Sequence, residues 1–418
     1  MNRTLVLEII RSSESISQAE LVGRTQLSVG TIVSIVRELK EGGFVHELGP
    51  GWSQSGHRSK LGRRPVQLSF NSAARYVVAA EIGPDEVTMA LMNLTGSIVR
   101  TSVFRIDAGR GPAVLFREFP SQLKQLLTEG KVDRARVVGV GVATPGITDA
   151  TTGRLILSKH LGWRDVPLKQ RLEALLRLPV LVDSEAPLMA LGEQRWGAGR
   201  GAQHLVLVEN DVGIGAGLFF NGKVVRGFQG MAGELGQDVN WTTENQGDNE
   251  QGRILEDVAS GTAMIESARQ AHRQGRTKCM AELLEAPLLR PGLRILYAAA
   301  GQGDQVAIEI VRRAAAFMGA ALANIINLLD PELIILAGST ITESKGMLLT
   351  LIREHARKHV LNAPNRLIRI EEGLLGDRAS LVGAATLVYD HFFSPGIGTD
   401  LATTAAGNVL GSSHSRPM

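Results

Sequence analysis

Apolar, strand-like runs at 77–82, 136–142, 179–183, 204–208 and 333–337 alternate with helical segments at 113–128, 187–195, 305–329 and 346–359. Few folds satisfy that order. It is the α/β pattern, in which strands lie between layers of helix. The stretch "VVAAEIGPDEVTMALMNLTGSIV" (77–99) adds two strands joined by a tight turn at Gly83-Pro84, with apolar alternation through Val87, Met89 and Leu91. At 418 residues the chain is long enough for two or three domains with full cores. No segment approaches the ~18 uninterrupted apolar residues of a membrane helix. The nearest, 318–338, is broken by Asn324, Asn327, Asp330, Pro331 and Glu332, and Glu8 and Glu14 do not suit a signal peptide. A single cysteine, Cys279, excludes an internal disulfide framework and a cysteine-rich zinc site. A cytoplasmic location is expected.

The net charge of +3 is carried entirely by the N-terminal part: residues 1–70 hold nine Lys/Arg against six Asp/Glu, and the remainder balances at 36 against 36. A basic module on a neutral body points to an anionic partner for the module. Leu5, Val6, Ile9 and Ile10 make a short amphipathic helix. "SQAE" (17–20) fits a capping box that starts a second helix ending near Arg24. After the turn Thr25-Gln26-Leu27, Ser28 is placed to cap a third helix reaching Glu41, with Val29, Ile32, Val36 and Leu39 expected to be buried. "FVHEL" (44–48) and "VQLSF" (66–70) read as paired strands around a loop that contains Arg58, Lys60, Arg63 and Arg64 and no acid. Together these elements predict a winged helix-turn-helix. Such a module lays the N-terminal half of its third helix in the DNA major groove, here offering Ser28, Gly30, Thr31, Ser34 and Arg37. Arg58, Lys60, Arg63 and Arg64 are expected to meet phosphates, one of the last two alternatively anchoring the wing to the body. The rival reading is a helical bundle that binds protein through an ordinary solvated face.

Several segments resemble the ROK family of repressors, uncharacterised reading frames and sugar kinases. They are "GRRPVQLSF" (62–70), "GVGVATPGITDATTGRLILSKHLGWRDVPL" (139–168), "VGIGAGLFFNGKVVRGFQGMAGELG" (212–236), "LEDVASG" (255–261), "NIINLLDPELIILAG" (324–338) and "LGDRASLVGAA" (375–385). They occur in the family's order from about residue 5 to 393. The resemblance implies an α/β, actin-like ATPase (ribonuclease H-like) body of two lobes, with ligand held in the cleft between them. The expected units are a winged helix-turn-helix at 1–71, a small lobe at 72–186, and a large lobe at 187–395 whose last helix returns to the small lobe. A disordered tail is expected at 396–418. The long apolar helix 305–329 is expected as a buried element between the lobes.

The resemblance also says which parts of a kinase site to look for. In the family an aspartate ends the first strand, and a glycine-threonine turn cradles phosphate. This chain has Glu81 at that strand end and Pro84-Asp85-Glu86 in the turn. Phosphates are bound by backbone N–H groups and cations, so the acids repel them and Pro84 removes a donor. The second phosphate turn carries Asp211-Val212 in place of glycine-threonine, and the family's catalytic Asn-Asp pair becomes Ser184-Glu185. In the family's zinc segment the histidine is Gln237, no cysteine lies between it and Glu256, and Ile254 stands at the last cysteine's place. No metal, cofactor or catalytic residue is therefore expected. Glu234 and Glu256 keep the family's sugar-contacting acids, and with Gly146, Ser184, Glu185 and Gln237 they outline an acidic pocket for a sugar-like effector, an amine-bearing or modified sugar among the options.

The reading that follows is a DNA-binding regulator, a repressor of sugar-related genes, whose body serves oligomerisation and effector sensing. Its expected partners are double-stranded operator DNA and a sugar-like effector, with no membrane, in a homodimer or homotetramer. The alternatives are a sugar kinase with an added DNA-binding domain and a ligand-blind DNA-binding scaffold.

Overall fold

The computed structural model of the protein describes residues 2–48, 66–240, 253–277 and 289–393. The N-terminal module has helices at Asn2–Ser12, Gln18–Thr25 and Val29–Glu41, followed by the antiparallel strands Val45–Leu48 and Gln67–Phe70. A two-residue strand, Ile16–Ser17, pairs with Leu68 and Gln67 and completes a three-stranded sheet. Ser17 and Glu20 form the expected capping box, each satisfying the other's free backbone N–H. In the third helix Ile32, Ile35, Val36 and Leu39 face the core. Val29 does not: it is 65 % exposed, because at the helix's first position it projects past the core that buries the next turn. The basic residues Arg58, Lys60, Arg63 and Arg64 lie outside the described residues, as does the tail from 394 onward.

The body carries one topology twice. In the first five-stranded sheet, Tyr76–Ile82 is central, flanked on one side by the antiparallel Glu86–Asn93 and Ile98–Arg105 and on the other by the parallel Val137–Thr144 and Val180–Ser184. In the second, His204–Asn210 is central. Ile214–Phe220 and Lys223–Val225 lie antiparallel on one side, and Leu333–Ala337 and Ile370–Glu372 lie parallel on the other. Hairpins supply the antiparallel strands and helical crossovers the parallel ones, as their connection lengths require. A small three-stranded sheet, Ile147–Asp149, Arg154–Ser158 and Trp163–Val166, extends the first lobe.

Each sheet is followed by a helix that packs on the other lobe. Glu185–Trp196 leaves the first sheet and lies on the second, and Ala379–Phe393 leaves the second and lies on the first. Gly141 makes the latter possible, since a Cβ there would sit 2.1 Å from the Ala384 carbonyl oxygen. The two helices cross where a Cβ on Gly383 would meet the Leu188 carbonyl oxygen at 1.8 Å. These two helices, rather than Gln305–Leu329, join the lobes. The long apolar helix is buried inside the second lobe against Leu289–Gly301 and Met347–His359, which corrects the interlobe position expected for it. Helices on several sides cover its apolar residues, while Glu309, Arg312, Arg313 and Asn324 stay exposed.

The winged module sits on the far ends of the same two helices. Phe44 meets Phe393 edge-on at 6.1 Å, and the Thr4 hydroxyl donates to the Phe393 carbonyl at 3.4 Å. Arg11 lies over the Trp196 ring at 5.5 Å, and Arg195 reaches Glu8 at 3.7 Å. Val6, Ile10, Phe44, Leu188, Leu381 and Tyr389 belong to one continuous apolar cluster, so module and body share a core.

Candidate effector cleft and DNA-reading helix

The C-terminal ends of the two central strands bring acids into the cleft. Glu81 is the penultimate residue of its strand, paired with Thr88 and Ala143; Glu209 is the penultimate residue of the other, paired with Gly215 and Ala337. The duplicated topology therefore places the two glutamates at matching positions in the two lobes. Glu185, the first residue of its helix, and Asp211, just past the second strand, complete a group of four acids from both lobes. Burial raises the Glu185 carboxyl well above the ordinary range, and the charges of Glu209, Glu81 and Asp211 raise it further. Burial likewise pushes Glu209 up to about 8, with Asp211 and Glu81 adding to the shift. Glu81 is raised by burial against a lowering by the Ser380 hydroxyl, which donates to it.

Both turns at the positions of the family's phosphate turns carry hydrogen bonds within the chain. In the first, the Gly83 N–H donates to the Glu86 carbonyl at 2.8 Å. In the second, Asp211 accepts from the Ser339 hydroxyl at 2.6 Å and lies 3.4 Å from the Ser339 N–H. A carboxylate of the chain thus engages donors at a helix start, the kind of group that binds an anion. Glu209, unlike Asp211, was not singled out in the sequence; its place beside the turn becomes evident only when the strand register is known.

Past Asp211, on the same hairpin, the Ile214 N–H donates to Glu256 at 2.9 Å, while Glu234 is exposed. The Glu234 carboxyl is raised by partial burial and by the Glu256 charge, with Lys159 opposing. His160 borders the same spot: a Cβ on Gly213 would meet Glu256 Oε2 at 2.5 Å and His160 Cε1 at 3.6 Å. Lys159 and His160 come from the first lobe and Glu234 and Glu256 from the second, so these side chains meet across the cleft. Gln237 is exposed at the end of the single turn Leu235–Gln237. Its amide does not match the thiolate and imidazole chemistry of a structural zinc site, and among the described residues no group of His, Cys, Asp and Glu is arranged to hold a metal.

Ser184 and Gly146 have structural work. The Ser184 hydroxyl accepts from the Thr148 N–H at 3.2 Å. Gly146, at φ +98°, turns the chain where a Cβ would lie 2.3 Å from the Leu157 carbonyl oxygen. Beside them Asp183, 2 % exposed, accepts from Arg226 Nη2 at 2.6 Å and Nε at 2.8 Å. This ion pair ties the fifth strand of the first lobe to the loop after the third strand of the second. Burial raises the Asp183 carboxyl, and Arg226 opposes the rise.

On the third helix of the N-terminal module, the Ser28 hydroxyl accepts from the Thr31 N–H at 3.2 Å and lies 2.8 Å from the Thr31 hydroxyl, so both side chains serve the cap. Gly30 and Arg37 are exposed, and Ser34 is half-buried.

Comparison with known proteins matches this architecture. The ROK family profile covers residues 77–391. The xylose repressor of Caldicellulosiruptor bescii is 28 % identical over 398 residues, spanning 94 % of this chain and 96 % of its own. The glucokinase of Halalkalibacterium halodurans is 30 % identical over 319 residues, which is 75 % of this chain and 95 % of its own. The crystal structure of a ROK family transcriptional regulator, a homologue of the E. coli MLC protein, superposes with a TM-score of 0.77 at 23 % identity, covering 94 % of this chain and 96 % of that one. Its fold extends through the winged module, whereas the glucokinase accounts for only three quarters of the chain. On the profile match and these relatives, the chain belongs to the ROK family.

Proposed function

We propose that the protein is a transcriptional repressor that holds operator DNA through its winged helix and releases it when a sugar occupies the interlobe cleft. The observation that carries this reading is the extent of the similarity: the relative named a xylose repressor runs through the winged module, and the glucokinase is a body-length match. Xylose is accordingly the first effector to try. Glu234 and Glu256, with Lys159 and His160 across the cleft, offer charge-assisted hydrogen bonds to sugar hydroxyls. Glu185 lies in the same cleft, and closing on a ligand there moves one lobe against the other. A homodimer presents two winged helices to a two-fold operator, with Arg58, Lys60, Arg63 and Arg64 on the phosphates.

The same reading holds the body to be without sugar kinase activity. Support comes from Asp211, whose carboxylate is held at the Ser339 hydroxyl inside the second phosphate turn. Deleting the gene should raise transcription from the promoters the protein occupies, and ADP release from ATP should stay at background across common hexoses and pentoses. Transcription that falls on deletion would make the protein an activator, and turnover near ~1–1000 per second would make it an enzyme.

A further inference from the structure

Two valines on the third helix are out of place as folding residues. Val29 is 65 % exposed and Val33 47 % exposed, on a helix whose core face is already filled by Ile32, Ile35, Val36 and Leu39. Neither packing nor helix propensity accounts for them, since β-branched side chains are only moderate helix formers and these two remain in solvent. They are four residues apart and so stack on one face of the helix, with Arg37 next in the same row. Gly30 beside them leaves open space, with nothing within 4 Å of where a Cβ would be. A partner surface can therefore approach the backbone closely along this stripe.

We propose that Val29 and Val33 read thymine, by apolar contact with its C5-methyl group in the major groove. This rests on the DNA-binding reading above and deepens it. The major groove distinguishes thymine from the other bases by that methyl group as well as by its O4 acceptor, and apolar side chains are suited to the methyl. Four residues advance a helix by about 6 Å, close to two base steps of roughly 3.4 Å. The two contacted thymines of each half-site therefore lie within about two base steps of one another. Thr31 and Ser28 serve the helix cap, which leaves the valine row, Ser34 and Arg37 on the reading edge.

The test uses the full-length protein and a pool of double-stranded DNA randomised over the length of two half-sites. The enriched site is resynthesised with each thymine replaced in turn by deoxyuridine, which pairs identically but lacks the methyl. Wild type should lose about fourfold in affinity per contacted methyl, the transfer value of one buried carbon. It should do so at two thymines within about two base steps of each other in each half-site. The Val29→Ala and Val33→Ala proteins, checked by melting temperature to be folded, should bind the thymine site more weakly. Each should lose its response to uracil at one of the two positions, with affinity for random DNA unchanged. A site that is enriched yet indifferent to uracil at every thymine leaves the DNA-binding reading intact and overturns the valine assignment. A pool from which no sequence is enriched removes the DNA-binding reading and this assignment with it.

Discussion

Glu209 is a buried carboxyl in the cleft, and its raised pKa predicts a stability that depends on pH. Its carboxyl has a pKa of about 8 in the folded chain against an ordinary value of 4.5, so the folded state binds a proton that the unfolded state has released. The stabilisation this gives is complete below about pH 4.5 and is lost as the pH rises through about 8. Melting temperature should therefore fall between pH 6 and 8.5 more steeply in wild type than in Glu209→Gln. Parallel melting curves for the two proteins would show that Glu209 titrates normally. Asp183 poses the complementary case. Removing its partner with Arg226→Ala leaves a carboxylate buried without a counter-charge, which should cost about 3 kcal/mol at pH 8. Adding Asp183→Asn should recover most of the loss in denaturant melts; no recovery would mean that Arg226 acts through packing. Asp211 and Glu185 were legible as departures from the family pattern, because they replace residues at fixed motif positions. Asp183 with Arg226, and Lys159 and His160 with Glu234 and Glu256, were not. Partners more than 40 residues apart become neighbours only when the two lobes are brought together.

The elements that matter most are the two helices exchanged between the lobes. Glu185–Trp196 begins with an acid in the cleft and ends with Arg195 and Trp196 on the first helix of the winged module. Ala379–Phe393 begins beside Ser380, which donates to Glu81, and ends with Phe393 against Phe44. Both therefore span from the proposed effector pocket to the DNA-binding module, over about 18 to 22 Å at the ordinary rise of a helix. They cross in backbone contact at Gly383, so a shift of one would displace the other. Replacing Trp196 by Ala should leave operator affinity without sugar within about threefold of wild type and shrink the sugar response at least tenfold, measured by DNA-binding titrations with and without xylose. An unaltered response would place the coupling elsewhere. The strands and helices themselves were legible from period and capping, since an apolar run or a Ser-x-x-Glu box is a local signal. The burial of Val29 and the interlobe place of Gln305–Leu329 were misjudged. Both depend on which neighbour an apolar face meets, and periodicity does not carry that.

At the scale of the molecule, a duplicated sheet topology sets matched acids on the two lobes, and a winged helix shares a core with the two exchanged helices. Among the described residues no helix is long and apolar enough to cross a membrane. The central claim is that sugar in the cleft and DNA on the winged helix are linked through one body. Linkage of this kind is reciprocal: whatever factor the sugar takes from DNA affinity, DNA must take from sugar affinity. The most direct measurement is fluorescence anisotropy of a labelled operator, obtained by selection, titrated with the full-length protein with and without saturating xylose. A companion titration of xylose follows, with and without operator. The account predicts that xylose weakens operator binding at least tenfold, in the range of ordinary allosteric coupling, and that operator weakens xylose binding by the same factor. Operator affinity that is the same with xylose, and with the other common pentoses and hexoses, would contradict it.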